Sequence, residues 1–227
     1  MNKKDISEDG NVILINKELR WTSFDVIKKI RNLIKIKKVG HAGTLDPLAT
    51  GLLIVCTGKM TKQINQFMDL EKEYTGTLVL GKTTPSVDLE TEIDRELPID
   101  HITEEMIQNT ANKFVGNLMQ TPPIYSAIKK DGEPLYKKAR KGEDVKIEPR
   151  PVESKEFKIT KIDSPEIHFK LVCSKGFYVR SLVRDFGEDL GVGALMSSLV
   201  RTRIGTFILE DAQTVDEFKK EWELTNS

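Results

Sequence analysis

The chain has 227 residues, of which 38% are hydrophobic and 31% are charged. This length suits one large domain or two small ones with a buried core, and the composition is that of a soluble globular protein. No apolar run approaches the ~20 residues that span a bilayer, and the first ten residues lack the apolar segment of a signal peptide. These features exclude a membrane-spanning protein, and we expect the chain to be cytoplasmic.

The chain contains two cysteines and three scattered histidines. Cys56 and Cys173 each lie in an apolar, strand-like run, which is typical of reduced thiols in the core of a cytoplasmic protein. Neither residue type shows the spacing of metal ligands. The sequence therefore predicts no metal site.

The formal net charge is zero, but the charged residues are segregated along the chain. Residues 28–38 hold six basic residues and no acid, and residues 129–150 hold eight basic residues against five acids. Residues 88–105, in contrast, hold eight acids and one Arg. Segregation of this kind can give one basic face despite a neutral total, and a polyanion responds to that face. The alternative is an ordinary solvated helix with a lysine-rich side.

Hydrophobic periodicity and turn residues predict a series of strands and helices. The predicted strands cover about 12–15, 50–59, 73–81, 121–129, 153–162, 166–174 and 199–209. The predicted helices cover about 22–34, 60–70, 103–114, 135–140, 178–190 and 214–222, and residues 82–102 are predicted as an acidic loop. Because the two types are interspersed irregularly, we predict an α+β fold with a mixed, mostly antiparallel central sheet flanked by helices and loops. No repeat or clear linker divides the chain, which favours a single domain over 1–227.

Residues 40–59 combine a loop rich in turn-forming residues with an apolar, β-branched run that predicts a buried strand. The loop carries one carboxylate, Asp46, and Pro47 after it disfavours the α region, so that Asp46 is held extended. Gly43 and Gly51 allow the backbone to turn tightly or to approach a partner closely. A carboxylate held in this way suits catalysis, although a loop of this kind taken alone is more often a surface turn.

Two other patterns bear on cofactors and on charge. Gly58 and Lys59 suggest a phosphate-binding loop, but Leu53 stands where that motif needs Gly and Met60 where it needs Ser or Thr, so no nucleotide cofactor is predicted. Arg180 follows a glycine turn at the start of a predicted helix, where a positive charge opposes the helix dipole. A negative partner is therefore expected, with Asp46 as one candidate; the alternative is an exposed arginine face.

Four segments together resemble the bacterial tRNA pseudouridine-55 synthases of the TruB type. They are GHAGTLDPLATGLLIVCTGKMTK (40–62), KEYTGTLVLG (72–81), TPPIYSAIKKDGEPLYKKARKG (121–142) and CSKGFYVRSLVRDFGEDLG (173–191). The weaker TSFDV (22–26) and LVRTRIGTF (199–207) add to them, so the resemblance extends over most of the chain. It implies a pseudouridine synthase-like fold and an isomerase that converts uridine 55 in the T loop of tRNA to pseudouridine, with no cofactor.

The resemblance also implies roles for individual residues. Asp46 matches the essential carboxylate, acting on the ribose as nucleophile or as base, and Arg180 matches its ion-pair partner. Tyr74 matches the ring that stacks on the flipped uracil. The other matched positions are expected to bind the RNA, and they are His41, Gly43, Thr44, Tyr178, Leu199, Lys129 and Arg140. Residues 122–150 resemble an inserted segment that clamps the T loop through phosphate contacts.

The chain departs from the family pattern at a few positions. Glu18 and Arg20 replace a Pro and a Gly of the first motif, and Leu195 and Val200 replace a His and an Arg near the C-terminus. These changes concern RNA contacts more than chemistry. We expect the protein to lack the small C-terminal RNA-binding domain of the PUA type that many family members carry, and to act as a monomer that relies mainly on the T arm.

Two other functions are compatible with parts of this pattern. A tRNA-binding folding chaperone on the same scaffold would have no need of Asp46, Tyr74 and Arg180 together. A glycosidase-like hydrolase would need a second carboxylate near Asp46, and none is visible in its segment.

Overall fold

A computed structural model describes residues 10–126, 129–130, 132–135, 138, 141 and 145–226. The chain divides into two compact units, one formed by Met1–Thr75 with Leu199–Ser227 and the other by Gly76–Ser198. These are called unit 1 and unit 2. None of the helices within the described residues is long and apolar enough to cross a membrane.

The strands are numbered in chain order: β1 (Val12–Lys17), β2 (Val39–His41), β3 (Thr50–Thr57), β4 (Lys72–Leu80), β5 (Lys82–Thr83), β6 (Arg95–Glu96), β7 (Gly116–Gln120), β8 (Lys129–Lys130), β9 (Glu133–Pro134), β10 (Arg150–Asp163), β11 (Glu166–Cys173), β12 (Ala194–Ile204) and β13 (Phe207–Ile208). The α-helices of the described residues are α1 (Ser23–Ile34), α2 (Ile64–Asp69), α3 (Glu104–Lys113), α4 (Val179–Asp189) and α5 (Val215–Asn226). Short 3-10 helices cover Gly58–Gln63 and Leu209–Asp211.

The sheet of unit 1 has the strand order β1-β3-β12-β4, with β2 beside β3 and β13 beside β12. β1 and β2 pair antiparallel with β3, whereas β12 pairs parallel with it. In unit 2 the order is β12-β4-β11-β10-β7, because β4 and β12 contribute residues to both units. β10 pairs antiparallel with both β11 and β7. The predicted α+β fold with a mixed, mostly antiparallel sheet is confirmed.

β3 is covered by apolar side chains on both faces, which explains its continuous hydrophobic run. On one face, Leu53 and Val55 pack with α1 and α5 in a core that includes Ile30 and Phe218. On the other face, Leu52 and its neighbours form a second cluster. A strand buried on both sides is a rigid support for the loop that precedes it.

Helix α1 begins where the sequence places its start. The Thr22 side chain accepts a hydrogen bond from the backbone N–H of Asp25, and the Asp25 carboxylate accepts one from the N–H of Thr22. This reciprocal pair is a capping box. Helix α5 begins with the same arrangement, between Thr214 and Glu217.

Several predicted boundaries are wrong. The strand expected at 199–209 begins five residues earlier at Ala194 and ends at Ile204, where Gly205 has a φ of 55°. The strand expected at 121–129 does not form over 121–126; β7 lies before it and pairs with β10, a long-range contact that local patterns do not encode. The helix expected at 60–70 is a 3-10 helix followed by α2. The short helix expected at 135–140 falls largely outside the described residues.

Candidate active site

Asp46 lies in unit 1, on the loop that joins β2 to β3, and its side chain is half-buried. The backbone N–H of Leu45, just before it, donates to the Ser23 hydroxyl at 2.9 Å, and that hydroxyl donates back to the Leu45 carbonyl at 3.3 Å. The N–H of Ala49 donates to the Asp46 carbonyl at 3.0 Å, which closes a turn around Pro47. The carboxylate therefore projects from a main chain that is held on both sides.

Lys17 is a buried cation beneath this loop. Its ammonium donates to the carbonyls of Trp21 at 2.6 Å, of Glu18 at 3.1 Å and, at 3.4 Å, of Pro47. Burial lowers the pKa of Lys17 to about 8, while the nearby charge of Asp46 acts in the opposite direction. Lys17 thus ties the start of α1 to the Asp46 loop and adds a positive charge close to the carboxylate.

Arg201 is a second buried cation behind the same loop, with 1% of its surface exposed. Its Nε donates to the Leu52 carbonyl at 2.7 Å, and its second terminal nitrogen donates to the Gly43 carbonyl at 3.1 Å. These two bonds join β12 to the Asp46 loop at Gly43 and to the adjoining strand β3 at Leu52. The backbone of Arg201 also approaches Gly51 so closely that a Cβ there would lie 2.4 Å from the Arg201 carbonyl oxygen.

This close approach explains one of the two glycines that flank the loop. Gly51 has a φ of 103°, a conformation that side chains rarely adopt, and it faces the backbone of the parallel strand. Gly43 has a φ of 91°, and its carbonyl accepts the Arg201 bond. Both glycines are required by geometry, as their positions in the sequence indicate.

His41 ends β2 on the approach to the Asp46 loop and is half-buried. Burial and the positive charge of Arg201 lower the pKa of its imidazole, against a smaller opposing effect of a Gly43 hydrogen bond. Both effects favour the neutral form of the ring. Thr44, on the same segment, is exposed and can be reached by a substrate.

Tyr74 and Leu199 also belong to unit 1. Tyr74 lies in β4 with 9% of its surface exposed, and Leu199 lies in β12 with 6% exposed. Next to Tyr74, the Glu73 carboxylate accepts a hydrogen bond from the Thr202 hydroxyl at 3.0 Å and lies 3.6 Å from Arg203. These contacts hold β4 against β12 at the level of Tyr74.

Arg180 lies in unit 2, in the first turn of α4, and is buried with 4% of its surface exposed. Its Nε lies 3.7 Å from the Asp88 carboxylate, which is itself 2% exposed. Its terminal nitrogens donate to the carbonyls of Ser86 at 3.1 Å and Tyr125 at 2.7 Å. The alternative of an exposed arginine face is thus wrong for Arg180. Its expected pairing with Asp46 stays a prediction.

Asp88 is held by its own contacts. Its carboxylate accepts hydrogen bonds from the Ser86 hydroxyl at 2.6 Å and from the backbone N–H of Glu90 at 3.0 Å. The acidic 82–102 segment, predicted as a loop, therefore supplies a buried anion for α4. Apart from the short β5 and β6, it contains no regular strand or helix.

The remaining candidates are Tyr178, Lys129 and Arg140. The backbone of Tyr178 makes two hydrogen bonds with the Gln120 side chain, one through its N–H at 2.7 Å and one through its carbonyl at 3.0 Å. They fix Tyr178 at the start of α4. The backbone of Lys129 lies in β8, but its side chain, like the whole of Arg140, lies outside the described part of the chain.

Three contributors to these arrangements were missed by sequence reasoning, namely Lys17, Arg201 and Asp88. Their types are common in any charged sequence, and their roles depend on burial, which one sequence does not reveal. A weak signal was present for Lys17, a lysine that ends an apolar strand and precedes the helix cap. Within the described residues, no group of three His, Cys, Asp or Glu side chains is arranged to hold a metal ion.

Comparison with known proteins bears on these residues. Residues 31–179 match the profile of the TruB family pseudouridylate synthase N-terminal domain, and residues 180–226 match that of the tRNA pseudouridylate synthase B C-terminal domain. The chain belongs to the TruB family. Of the two matches, the first contains Asp46, Tyr74 and Asp88, and the second begins at Arg180.

Individual TruB relatives are similar over nearly their whole length. The chain is 50% identical to a tRNA pseudouridine synthase B of Flavobacterium johnsoniae, covering 93% of this chain and 96% of that protein. It is 49% identical to the protein of the same name from Phocaeicola vulgatus, covering 95% and 94%. The resemblance inferred from the motifs is thereby confirmed.

Solved structures show the same fold. A chain of a Cbf5-Nop10-Gar1 complex matches with a TM-score of 0.72 at 27% identity, covering 96% of this chain. A chain of an H/ACA RNP bound to a substrate RNA containing 2′-deoxyuridine matches with a TM-score of 0.73 at 24% identity, covering 99%. The present chain spans 57% and 56% of the length of those two chains, respectively.

Proposed function

We propose that this TruB family protein is a tRNA-modifying isomerase that converts uridine 55 of the T loop to pseudouridine. The observation that carries the proposal is the position of Asp46 on a loop that two buried cations, Lys17 and Arg201, hold through hydrogen bonds. The chain is also 50% identical to a tRNA pseudouridine synthase B. The reaction leaves the atom count unchanged. It breaks the C–N bond between uracil and ribose, turns the base, and joins C5 to C1′, with a proton leaving C5 and one gained by N1.

Asp46 acts on the ribose, either as nucleophile or as base. Either role requires a carboxylate that is ionised and close to the sugar of a flipped-out nucleotide. The Lys17 ammonium and the hydrogen bonds of the loop main chain support this role, because they fix the position of Asp46 before substrate binds. Preorganisation of this kind avoids reorganisation during the reaction.

The other matched residues receive roles by similarity. Tyr74 stacks on the uracil, Leu199 and Tyr178 contribute walls of the pocket, and neutral His41 occupies the space that the flipped base leaves in the RNA. Arg180 supplies positive charge to the catalytic centre. The remaining positions contact RNA around the target, and they are Gly43, Thr44, Lys129 and Arg140.

The RNA partner is proposed to be the T arm, clamped by the basic segment 122–150. We further propose a monomeric protein that works in the cytoplasm, where tRNA is modified. We also propose that residues 1–227 form a single catalytic domain. The noncatalytic chaperone remains a distinct outcome of the experiment below.

The experiment measures tritium release from a tRNA transcript labelled with [5-³H]uridine. Wild-type protein is expected to release the label from uridine 55 and not from a transcript that carries cytidine there. Asp46→Asn should release none while it still binds the transcript. Asp211→Asn, an exposed carboxylate in unit 1, is the matched control and should behave as wild type. Release of tritium by Asp46→Asn as well as by wild type would refute the role of Asp46. Binding of the transcript by wild type without release of tritium would indicate the chaperone.

A further inference from the structure

A cavity of about 370 Å³ opens on the surface of unit 1, outside the residues matched to catalytic roles. Six residues line it, all from the end of β1 through α1, and they are Arg20, Trp21, Asp25, Lys28, Lys29 and Asn32. This volume lies within the range of small-ligand pockets, and the cavity is broadly open to solvent. None of the six received a role in the proposed reaction.

The wall of this cavity is directly connected to the Asp46 loop. The backbone N–H of Arg20 donates to the Pro47 carbonyl at 2.8 Å. The Lys17 ammonium bridges the carbonyls of Trp21 and Pro47. The wall of the cavity is thus hydrogen-bonded to Pro47, the residue that follows Asp46.

The charge of the cavity favours an anion. Its lining holds three cations, Arg20, Lys28 and Lys29, against one carboxylate, that of Asp25. The Asp25 carboxylate is engaged by the N–H and the hydroxyl of Thr22. Both lysines are exposed on α1, at the start of the basic stretch 28–38, so their ammonium groups can reach a phosphate.

The cavity also contains an aromatic surface. Trp21 is half-buried, packs against the apolar core of unit 1 and lines the cavity with its remaining surface. Phe24 lies nearby in α1 with 62% of its surface exposed, one helical turn from Lys28. Aromatic rings interleaved with basic side chains are typical of surfaces that bind single-stranded nucleic acid, because successive bases stack on the rings while the cations contact phosphates.

We propose that this cavity binds an unpaired nucleotide of the RNA substrate, with its base on Trp21 and its flanking phosphates at Lys28 and Lys29. The inference rests on the proposed function for the identity of the RNA. The nucleotide comes from the T loop itself or from another unpaired part of the tRNA. A T-arm hairpin and a whole tRNA transcript distinguish these sources, since a T-loop nucleotide would let both RNAs bind equally well.

The first test changes charge on two helices of the same unit. One double variant carries Lys28→Gln and Lys29→Gln on α1. The control double variant carries Lys219→Gln and Lys220→Gln, which replace an adjacent pair of exposed lysines on α5. Dissociation constants for the transcript are measured by fluorescence anisotropy at several salt concentrations. Removal of the two phosphate contacts should reduce the salt slope by about 1.4 and raise Kd about 25-fold at about 0.1 M salt. The α5 pair should change Kd less than about twofold, and equal effects of the two pairs would overturn the proposal.

The second test measures the fluorescence of Trp21, which lines the cavity. Trp21 and Trp222 are the two tryptophans of the chain, and Trp222 is buried in the core. In a Trp222→Phe variant the fluorescence comes from Trp21 alone, and base stacking should quench it on titration with the transcript. Binding seen by anisotropy with no change in Trp21 emission would overturn the proposal. Because neither readout needs turnover, failure of the proposed isomerase, seen by tritium release, is recognised separately.

Discussion

Replacement of Lys17 by Met tests whether the buried ammonium holds the Asp46 loop. The side chains have similar length, but Met donates no hydrogen bond. The carbonyls of Trp21 and Glu18 lose donors at 2.6 and 3.1 Å, and that of Pro47 loses a more distant donor at 3.4 Å. A buried carbonyl without a donor costs about 1–3 kcal/mol, while removal of a buried charge offsets part of this cost. We expect a net decrease of about 2 kcal/mol in the free energy of unfolding at pH 7.

The pH dependence gives an independent signature of Lys17. Its pKa is about 8 in the folded protein and 10.5 in the unfolded chain. Between these values the unfolded state binds more protons, so this group makes stability rise as pH increases, by at most about 1.4 kcal/mol per pH unit. Lys17→Met lacks this contribution. The difference in stability between wild type and variant should therefore grow from pH 8 to pH 10.

The assay is urea unfolding, followed by tryptophan fluorescence and circular dichroism at pH 7, 8, 9 and 10. Lys37→Met, an exposed lysine of the same unit, is the control and should remain within about 0.5 kcal/mol of wild type. A Lys17 variant as stable as wild type at pH 7, or one whose stability follows wild type in parallel up to pH 10, would refute the reasoning.

Three further predictions concern the supports of the two units. Gly51→Ala should lower the free energy of unfolding by at least about 2 kcal/mol, because the φ of Gly51 is 103° and a Cβ there would lie 2.4 Å from the Arg201 carbonyl oxygen. Gly176→Ala should lower it by only about 1 kcal/mol, because Gly176 has a φ of 77° but open space where a Cβ would lie. Asp88→Asn should cost about 3 kcal/mol, because Arg180 keeps a buried charge without its anion. Arg201→Met should lower tritium release at least about tenfold, because the carbonyls of Gly43 in the loop and Leu52 in β3 lose their donors. Urea unfolding measures the first two effects.

Each of these has an outcome that contradicts it. Equal costs at Gly51 and Gly176 would mean that the backbone contact with β12 does not constrain the glycine. An Asp88→Asn protein as stable as wild type would show that Arg180 is sufficiently paired by carbonyls. Full activity of Arg201→Met at a temperature where it is folded would show that the loop is held without the guanidinium.

Two buried cations give the Asp46 loop an unusual support. Lys17 and Arg201 donate hydrogen bonds to main-chain carbonyls of the loop, its flanking strand and the segment that leads into α1. Hydrogen bonds to main-chain acceptors fix the backbone from which the Asp46 side chain projects. The same cations set a positive local field, which also lowers the pKa of His41 through Arg201.

The sequence alone was enough to predict several elements of the fold and the family. The caps at Thr22 and Thr214 and the apolar periodicity of α1 gave helix positions, because capping and amphipathic packing act over a few residues. The apolar run of β3 predicted a buried strand for the same local reason. The motif around Asp46 predicted the family, and the positions of Gly43 and Gly51 predicted tight backbone geometry there.

Only the tertiary structure decided which charges are buried and what they contact. Lys17 and Arg201 are 184 residues apart by number, yet both hold the Asp46 loop; Asp88 likewise reaches Arg180 across 92 positions. β7 pairs with β10 in the same long-range way, and α1 presents Trp21, Lys28 and Lys29 around one cavity. Sequence patterns report neighbours along the chain, whereas desolvation and hydrogen bonding depend on neighbours in space, and these exist only once the sheet has formed.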